Sequence, residues 1–434
     1  MSRKLQADKW LFAATAGLAL FGIVMVYSAS AVVAMQEEGN QYHYVLKQAL
    51  WTALGFAAML AAMHFDYGRL RDRRIVYGLL ALTAVLLASV FAFHRTNGAH
   101  RWIRLPGISV QPSEISKLAL TIFLAYFLEK RAGEEHLFRW TFVPCIAATG
   151  ALALLVVAEP DLGTALMLAV ICAVVCYTAG VRLLHLGIAA APALLGVVAM
   201  LVFVPWRMRR MVTFLDPWQD QRDKGFQVVQ SLIAVGSGGL DGLGFAQGKQ
   251  KMFFLPFAHS DFIFAVIGEE LGLFGALTVV GMFALFLWRG LRAALRAPDR
   301  FGMLLGVGLV TGIVAQALFN ISVVLSLVPT KGIPLPFISY GGSSLVPTLL
   351  AAGILLNISQ YAGASVPAAS QSGNELKDDV RRRAVAATTR NATARARATV
   401  ATTASASTTA RAFAKNSAAS SSPSYGQSVE RRGF

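Results

Sequence analysis

Apolar residues fill long blocks along the first 360 or so positions, and short polar or charged stretches separate the blocks. A helix of about 20 apolar residues crosses a bilayer with all its backbone hydrogen bonds made internally. On that length the pattern predicts spans near residues 11–35, 47–64, 75–94, 112–128, 141–158, 163–180, 183–205, 262–287, 301–327 and 343–359. The fourth carries Glu114 and Lys117, and only the turn Glu159–Leu162 parts the fifth from the sixth. The expected fold class is an all-α polytopic membrane protein. It has about ten transmembrane helices and a large periplasmic loop, residues 206–261, between helices 7 and 8. The basic start Met1–Lys9 runs into the first apolar block with no convincing cleavage site, so that block reads as a retained helix.

Composition agrees with this pattern. Of the 434 residues 56 % are hydrophobic and 14 % charged, against about 25 % charged in an ordinary soluble domain. Cys145, Cys172 and Cys176 all lie inside apolar blocks with no histidine or further cysteine beside them, which suits buried inert thiols better than a metal site. Residues 1–365 form one membrane domain. From residue 366 to 434 the chain is rich in Ala, Ser, Thr and Arg with no apolar periodicity, and reads as a disordered basic cytoplasmic tail. A net charge of +16 invites nucleic acid as a partner. Cytoplasmic loops and an anionic substrate or lipid surface explain the charge more directly, so membrane lipids are expected as partners and nucleic acid is not.

Positive charge in short loops sets orientation. Arg69, Arg71, Arg73 and Arg74 follow the second span, and Arg289, Arg292, Arg296 and Arg300 follow the eighth. Both loops fall on one side with the two termini, and that side is assigned to the cytoplasm. The outer side then receives Arg95–Ser113, Glu159–Leu162, Trp206–Asp261 and Pro329–Gly342. Arg95, Arg101, Arg104, Lys249, Lys251 and Lys331 lie there against the charge trend, which suggests an anionic ligand.

Several constellations on that side could carry chemistry. Pro112 and Ser113 suit a helix start, which puts Glu114 and Lys117 one turn apart on one face, either as a headgroup-level ion pair or as site residues. Asp161 either caps the sixth span, serves a site, or does both. The glycines from Gly236 to Gly244 lack the spacing and the Gly-Lys-Ser/Thr ending of a phosphate loop. His259-Ser260-Asp261 leads into the eighth span, where Asp261 is either a helix cap or a carboxylate at the edge of a low-dielectric region, suited to a general base. Glu269 and Glu270 lie deeper, and at least one is expected to line a polar cavity. From Pro329 to Ser344 the density of Pro and Gly forbids a helix and predicts a shaped, re-entrant loop bearing Lys331 and Ser339.

The motifs HRWI (100–103), QPSEISKLAL (111–120), PDLGTA (160–165), QSLIAVGSGGLDGLGFAQGKQK (230–251), LPFAHSDFIFAVIGEELG (255–272) and PTKGIPLPFISYGGSS (329–344) occur in this order. Together they closely resemble the SEDS (shape, elongation, division, sporulation) family, and Thr330-Lys331-Gly332 resembles its FtsW branch. Phe257 stands where that family usually has a polar or acidic residue, and Glu159 where Gln is common.

The resemblance implies a peptidoglycan glycosyltransferase in the inner membrane at the division septum. It would polymerise lipid II, an undecaprenyl-pyrophosphate-linked disaccharide-pentapeptide, and work with a class B penicillin-binding protein transpeptidase and other divisome proteins. Asp261 matches the family's catalytic aspartate. Arg101 and Lys117 are the implied diphosphate ligands with Glu114 orienting Lys117, and Asp161, Lys249, Lys331 and Ser339 complete the candidate set. No cofactor is identified; a divalent cation could share the diphosphate, but no ligand cluster marks its site. The alternatives are a lipid II flippase, for which Glu269 and Glu270 would be the support, and a non-catalytic divisome scaffold. The assigned orientation is open to direct test: impermeant thiol labelling of intact cells should reach a cysteine placed at Gln219 and miss one at Ala297.

Overall fold

A computed structural model describes residues 6–93, 101–105, 108–219 and 225–361; Arg95 and the tail 366–434 lie outside the described residues. Twelve α-helices appear among them: α1 (Lys9–Glu38), α2 (His43–His64), α3 (Arg73–Ser89), α4 (Pro112–Lys130), α5 (Val143–Ala158), α6 (Leu162–Thr178), α7 (Leu183–Phe203), α8 (Pro205–Leu215), α9 (Phe226–Ser237), α10 (Ile263–Leu295), α11 (Arg300–Val324) and α12 (Gly342–Tyr361). Each expected span has its helix. Eight of them are long and apolar enough to cross a membrane. The two that are not are α4, with charged residues at both ends, and α6, which is 17 residues long. The segment expected as a loop between the seventh and eighth spans contains α8 and α9. The all-α expectation needs one amendment, an antiparallel pair β1 (Ile103–Leu105) and β2 (Ile108–Val110) with Ile103 opposite Val110.

Local signals set the helix ends. The Asp8 carboxylate accepts the Trp10 and Leu11 N–H groups to cap α1, and Pro112 opens α4 where no helical donor is needed. Burial then ranks the helices. In their most apolar stretches α12 is 78 % buried inside the protein and α11 72 %, whereas α7 is 6 % buried. So α11 and α12 form the centre, and α7 lies at the periphery beside α8. Lipid supplies little hydrophobic drive for helix association, so close packing and interhelical hydrogen bonds take that role. Asn357 of α12 illustrates this by donating to Met63 O at 2.7 Å and accepting from Tyr67 N at 3.1 Å.

Polar contacts collect at the two ends of the bundle as the loop parity requires. At one end Asp8 pairs with Arg289 at 2.6 Å, Arg71 with Glu129 at 2.7 Å and Arg300 with Glu135 at 2.7 Å. These are the arginine-bearing connections. The opposite end gathers the connections α1–α2, α3–α4, α5–α6, α9–α10 and α11–α12. The re-entrant expectation for the last of these holds: residues 335–339 are buried, and the backbone of Phe337 and Ile338 lies against Gly22, near the middle of α1.

Glu269 and Glu270 do not line an open cavity. Helix α10 breaks at Gly272 (φ 62°), and the irregular run 239–244 pairs with the opened turn. Leu243 N donates to Glu269 O and Gly244 N to Glu270 O, both at 3.0 Å, and Leu273 N donates to Gly239 O at 2.9 Å. A side chain at 272 would collide with the backbone of Leu240 and Gly242. The Glu269 carboxylate accepts the Lys249 N–H at 2.7 Å and the Gln250 N–H at 3.2 Å. Glu270 accepts from Ser28 Oγ at 2.6 Å, from Ala246 N at 3.1 Å and from Lys251 Nζ at 2.6 Å. Both acids are at most 1 % exposed and Lys251 is 3 % exposed, so Lys251 is neutralised inside the fold and is not offered to an anion. Breaking a buried ion pair from one side costs about 3–5 kcal/mol. Lys251→Met should therefore lower the thermal unfolding temperature of the detergent-solubilised protein markedly, while Lys249→Met, at an exposed position, should leave it nearly unchanged.

Candidate active site

The segment that carries Asp261 is fixed through its backbone. Three consecutive carbonyls each accept a donor from α11 or the loop after it: His259 O from Tyr340 N at 3.0 Å, Ser260 O from Ser339 Oγ at 2.6 Å, and Asp261 O from Asn320 Nδ2 at 2.8 Å. Asn320 also donates to Ile333 O at 2.7 Å, so one buried amide ties the aspartate to the Pro-rich loop. The helix cap falls instead on Phe262, with no side-chain capping bond, and the Asp261 carboxylate is free of that duty. It stays partly exposed. Gly332 closes one side, for a Cβ there would stand 2.8 Å from Asp261 Oδ2.

Around this carboxylate lie the groups of the α3–α4 and α5–α6 connections. Arg101 donates from Nε to Glu159 O at 3.4 Å and from Nη2 to Pro160 O at 2.5 Å. Asp161 caps α6, accepting Thr164 N at 3.3 Å and Thr164 Oγ1 at 2.8 Å, and receives Gln111 Nε2 at 3.5 Å. Burial pushes the Asp261 carboxyl up to about 7, with the Arg101 charge opposing the rise and the Asp161 charge adding to it. Glu159 is fully buried, and neither carboxylate oxygen has a hydrogen-bond partner. Burial and then the neighbouring Asp161 raise it to about 8, against the pull of Arg101.

A small cavity opens nearby, with Glu114, Lys117 and Gln316 among its lining residues and apolar residues of α6, α11 and α12 making up most of the rest. Lys117 Nζ donates to Glu114 at 2.8 Å and also to Gln316 Oε1. Gln316 Nε2 in turn donates to Pro334 O at 2.9 Å, which links this cavity to the loop that touches Asp261.

The structure thus brings Arg101, Asp161 and Asp261 together, with Lys331 next to Gly332 on the bordering loop and the Glu114–Lys117 pair at the adjoining cavity. Ser339 uses its hydroxyl within the protein, donating to Ser260 O and accepting Leu335 N at 2.8 Å, so it shapes the site. Lys249 stands apart: its backbone sits against Glu269, two turns along α10 from Asp261. Sequence reasoning missed Asn320, Gln316 and Arg210. The first two are amides four residues apart on an otherwise apolar span, a spacing that places them on one helix face. Arg210 of α8, which donates to Thr330 O at 3.4 Å, had no comparable signal.

The family model for cell cycle proteins of the FtsW/RodA/SpoVE type matches residues 9–363. This chain belongs to that family. It is 43 % identical over 346 residues to a probable peptidoglycan glycosyltransferase FtsW of Geobacter metallireducens, covering 79 % of this chain and 92 % of that one. It is 40 % identical over 363 residues to the stage V sporulation protein E of Bacillus subtilis, covering 83 % and 99 %. Among solved structures, a chain of a peptidoglycan synthase complex that coordinates polymerization and crosslinking superposes with a TM-score of 0.68 at 30 % identity, over 82 % of this chain and 98 % of that one. The rod shape determining protein RodA of Thermus thermophilus superposes with a TM-score of 0.62 at 26 % identity, with the same coverage. As in these FtsW/RodA/SpoVE relatives, the fold is that of a helical multi-pass membrane protein.

Glu159 gives this member of the family a measurable pH dependence. An acid whose folded value lies above its unfolded value holds its proton more tightly when folded. Stability is then lost as pH rises from the unfolded value, 4.5, to the folded value, about 8. Glu159→Gln removes that loss. Its unfolding temperature should match wild type near pH 4.5, exceed it at pH 7, and gain nothing further above pH 8.

Proposed function

We propose that this chain is a peptidoglycan glycosyltransferase that polymerises lipid II into glycan strands during septal wall synthesis, with Asp261 as general base. The observation that carries the proposal is the state of Asp261. Its carboxylate is free of capping, belongs to a partly exposed residue, and is raised by burial to about 7, with Arg101 opposing and Asp161 adding to the rise. A base works best when its pKa lies near the operating pH. The curated relatives named as peptidoglycan glycosyltransferases support the substrate class.

The step needs little else. The acceptor sugar's hydroxyl gives its proton to Asp261 and its oxygen bonds to the anomeric carbon of the growing strand. The bond from that carbon to the lipid diphosphate breaks, and the diphosphate leaves with the electron pair. Positive charge must meet the leaving group. Arg101, held by two backbone carbonyls, is placed beside the base, and Lys331 borders it from the loop. Lys117 serves the adjoining cavity, where Glu114 and Gln316 hold it in place. A divalent cation could travel on the diphosphate's own oxygens; the described residues gather no set of three His, Cys, Asp or Glu to hold one. The solved neighbour comes from a complex that joins polymerization to crosslinking, which supports a crosslinking partner, here a class B penicillin-binding protein; the arginine-bearing connections support cytoplasmic termini. Translocation of lipid II has less to draw on, since Glu269 and Glu270 are both engaged within the fold.

Polymerisation of labelled lipid II by the purified protein with its transpeptidase partner tests this. Asp261→Asn should fold, bind the partner and lose at least about 10²-fold in rate, the lower range for loss of a general base. Near-normal polymer from that variant would end the proposal. The wild-type rate should rise with pH through about 7 and then level off as the base loses its proton. In Arg101→Ala that limb should move to higher pH, because the opposing cation is gone.

A further inference from the structure

On the same end of the bundle, three rings from three chain segments meet beside Asp261. Tyr44 at the start of α2 stacks on His259 with ring centres 5.0 Å apart, and Tyr340 meets both edge-on, at 5.1 and 5.6 Å. The Tyr340 N–H bond to His259 O ties this triangle to the backbone of the catalytic segment, two residues from Asp261. All three side chains are partly exposed. Rings that serve only to pack would hide their polar tips or pair them; of the three, only Tyr44 does. Here Tyr44 Oη donates to the exposed carboxylate of Glu37 at 2.8 Å. Among the described residues, the Tyr340 hydroxyl and the His259 ring nitrogens make no hydrogen bond and are not sealed in. Burial holds His259 below its usual range against the charge of Glu37, so the triangle is uncharged at neutral pH.

Charge separates two groups of residues at this end of the bundle. Arg101 and Arg210 bond to the α5–α6 and α11–α12 connections. Glu37 and Glu38 act on the rings instead, Glu37 on Tyr44 and His259 and Glu38 on Tyr340. A diphosphate is drawn to the first and repelled by the second. A pyranose ring suits the second: its C–H face rests on the negative face of an aromatic ring, and its hydroxyls find acceptors at the rim. We infer that Tyr44, His259 and Tyr340 form a glycan subsite that holds a neutral sugar ring of the growing strand, beyond the sugar that reacts at Asp261. The inference rests on the polymerase reading and adds a grip on the strand between successive additions.

Two measurements decide it. In the polymerisation assay with the full chain and its partner, Tyr44→Ala and Tyr340→Ala should each shorten the strands by roughly 2- to 10-fold, the range for losing one aromatic contact. Strand length should fall more than the initial rate, and Tyr340→Phe should recover length relative to Tyr340→Ala. Separately, a soluble β-1,4-linked N-acetylglucosamine hexamer should show saturation transfer from aromatic protons to its ring C–H protons with wild type, and much less with Tyr44→Ala. Thermal unfolding identifies any variant that fails to fold, and the hexamer titration on wild type and the folded variant then stands alone. Unchanged strand lengths in folded alanine variants, or hexamer contact that survives Tyr44→Ala, would overturn the subsite. If wild type itself makes no polymer, the polymerase reading falls, and the hexamer titration still decides whether the rings bind sugar.

Discussion

Every backbone N–H and C=O that leaves helical geometry inside a membrane protein needs a partner from the protein itself. Two irregular regions of this fold obey that constraint, and the site depends on it. The break in α10 at Gly272 is answered by the run 239–244. The non-helical approach to α10 is answered by three donors from α11 and the following loop, which take the carbonyls of residues 259–261 in turn. Each such bond contributes only about 1 kcal/mol net, but leaving the group unpaired would cost more. The backbone of Asp261 is therefore held while its carboxylate is not.

The same economy shapes the electrostatics. Arg101 spends its hydrogen bonds on main-chain carbonyls and keeps its charge for the field of the site, so it is positioned without being cancelled. Asp161 uses its oxygens on Thr164 and Gln111 and adds negative charge beside Asp261. Glu114 and Lys117 are joined directly, with Gln316 as a third member. In this arrangement no single contact sets the proton affinity of Asp261. Burial raises it, and the two charged neighbours pull in opposite directions.

Much of this was readable in the chain. Ten apolar blocks became ten helices because membrane length and apolarity are one-dimensional signals. The grouping of Arg101, Asp161, Asp261 and the 329–344 loop at one end follows from counting spans. Asp161 does cap α6, as its position suggested, but Asp261 does not cap α10, since that choice turned on contacts with Asn320 and Ser339 from elsewhere in the sequence. Glu269 and Glu270 depart from their expected place for a related reason. An acid in a presumed span reads as a cavity residue, and nothing local reveals that α10 opens at Gly272 against the run 239–244 or that Lys251 reaches Glu270. Lys249 and Lys251 look alike in sequence, yet one is exposed and the other sealed.

The partners of α1 bear on how the molecule is made. Ser28 bonds Glu270 and Lys251, Asp8 bonds Arg289 and Ser359, and Gly22 receives the backbone of Phe337 and Ile338. All of these lie more than 200 residues further along the chain. Chains leave the ribosome from the N-terminus, so α1 enters the bilayer long before the segments that complete its polar contacts. Until residues 251 to 359 arrive, α1 has little beyond its own turns and α2 to hold it. Quality control that samples unfinished membrane proteins would meet α1 with these contacts unmade, and a ribosome stalled before residue 359 would prolong that state.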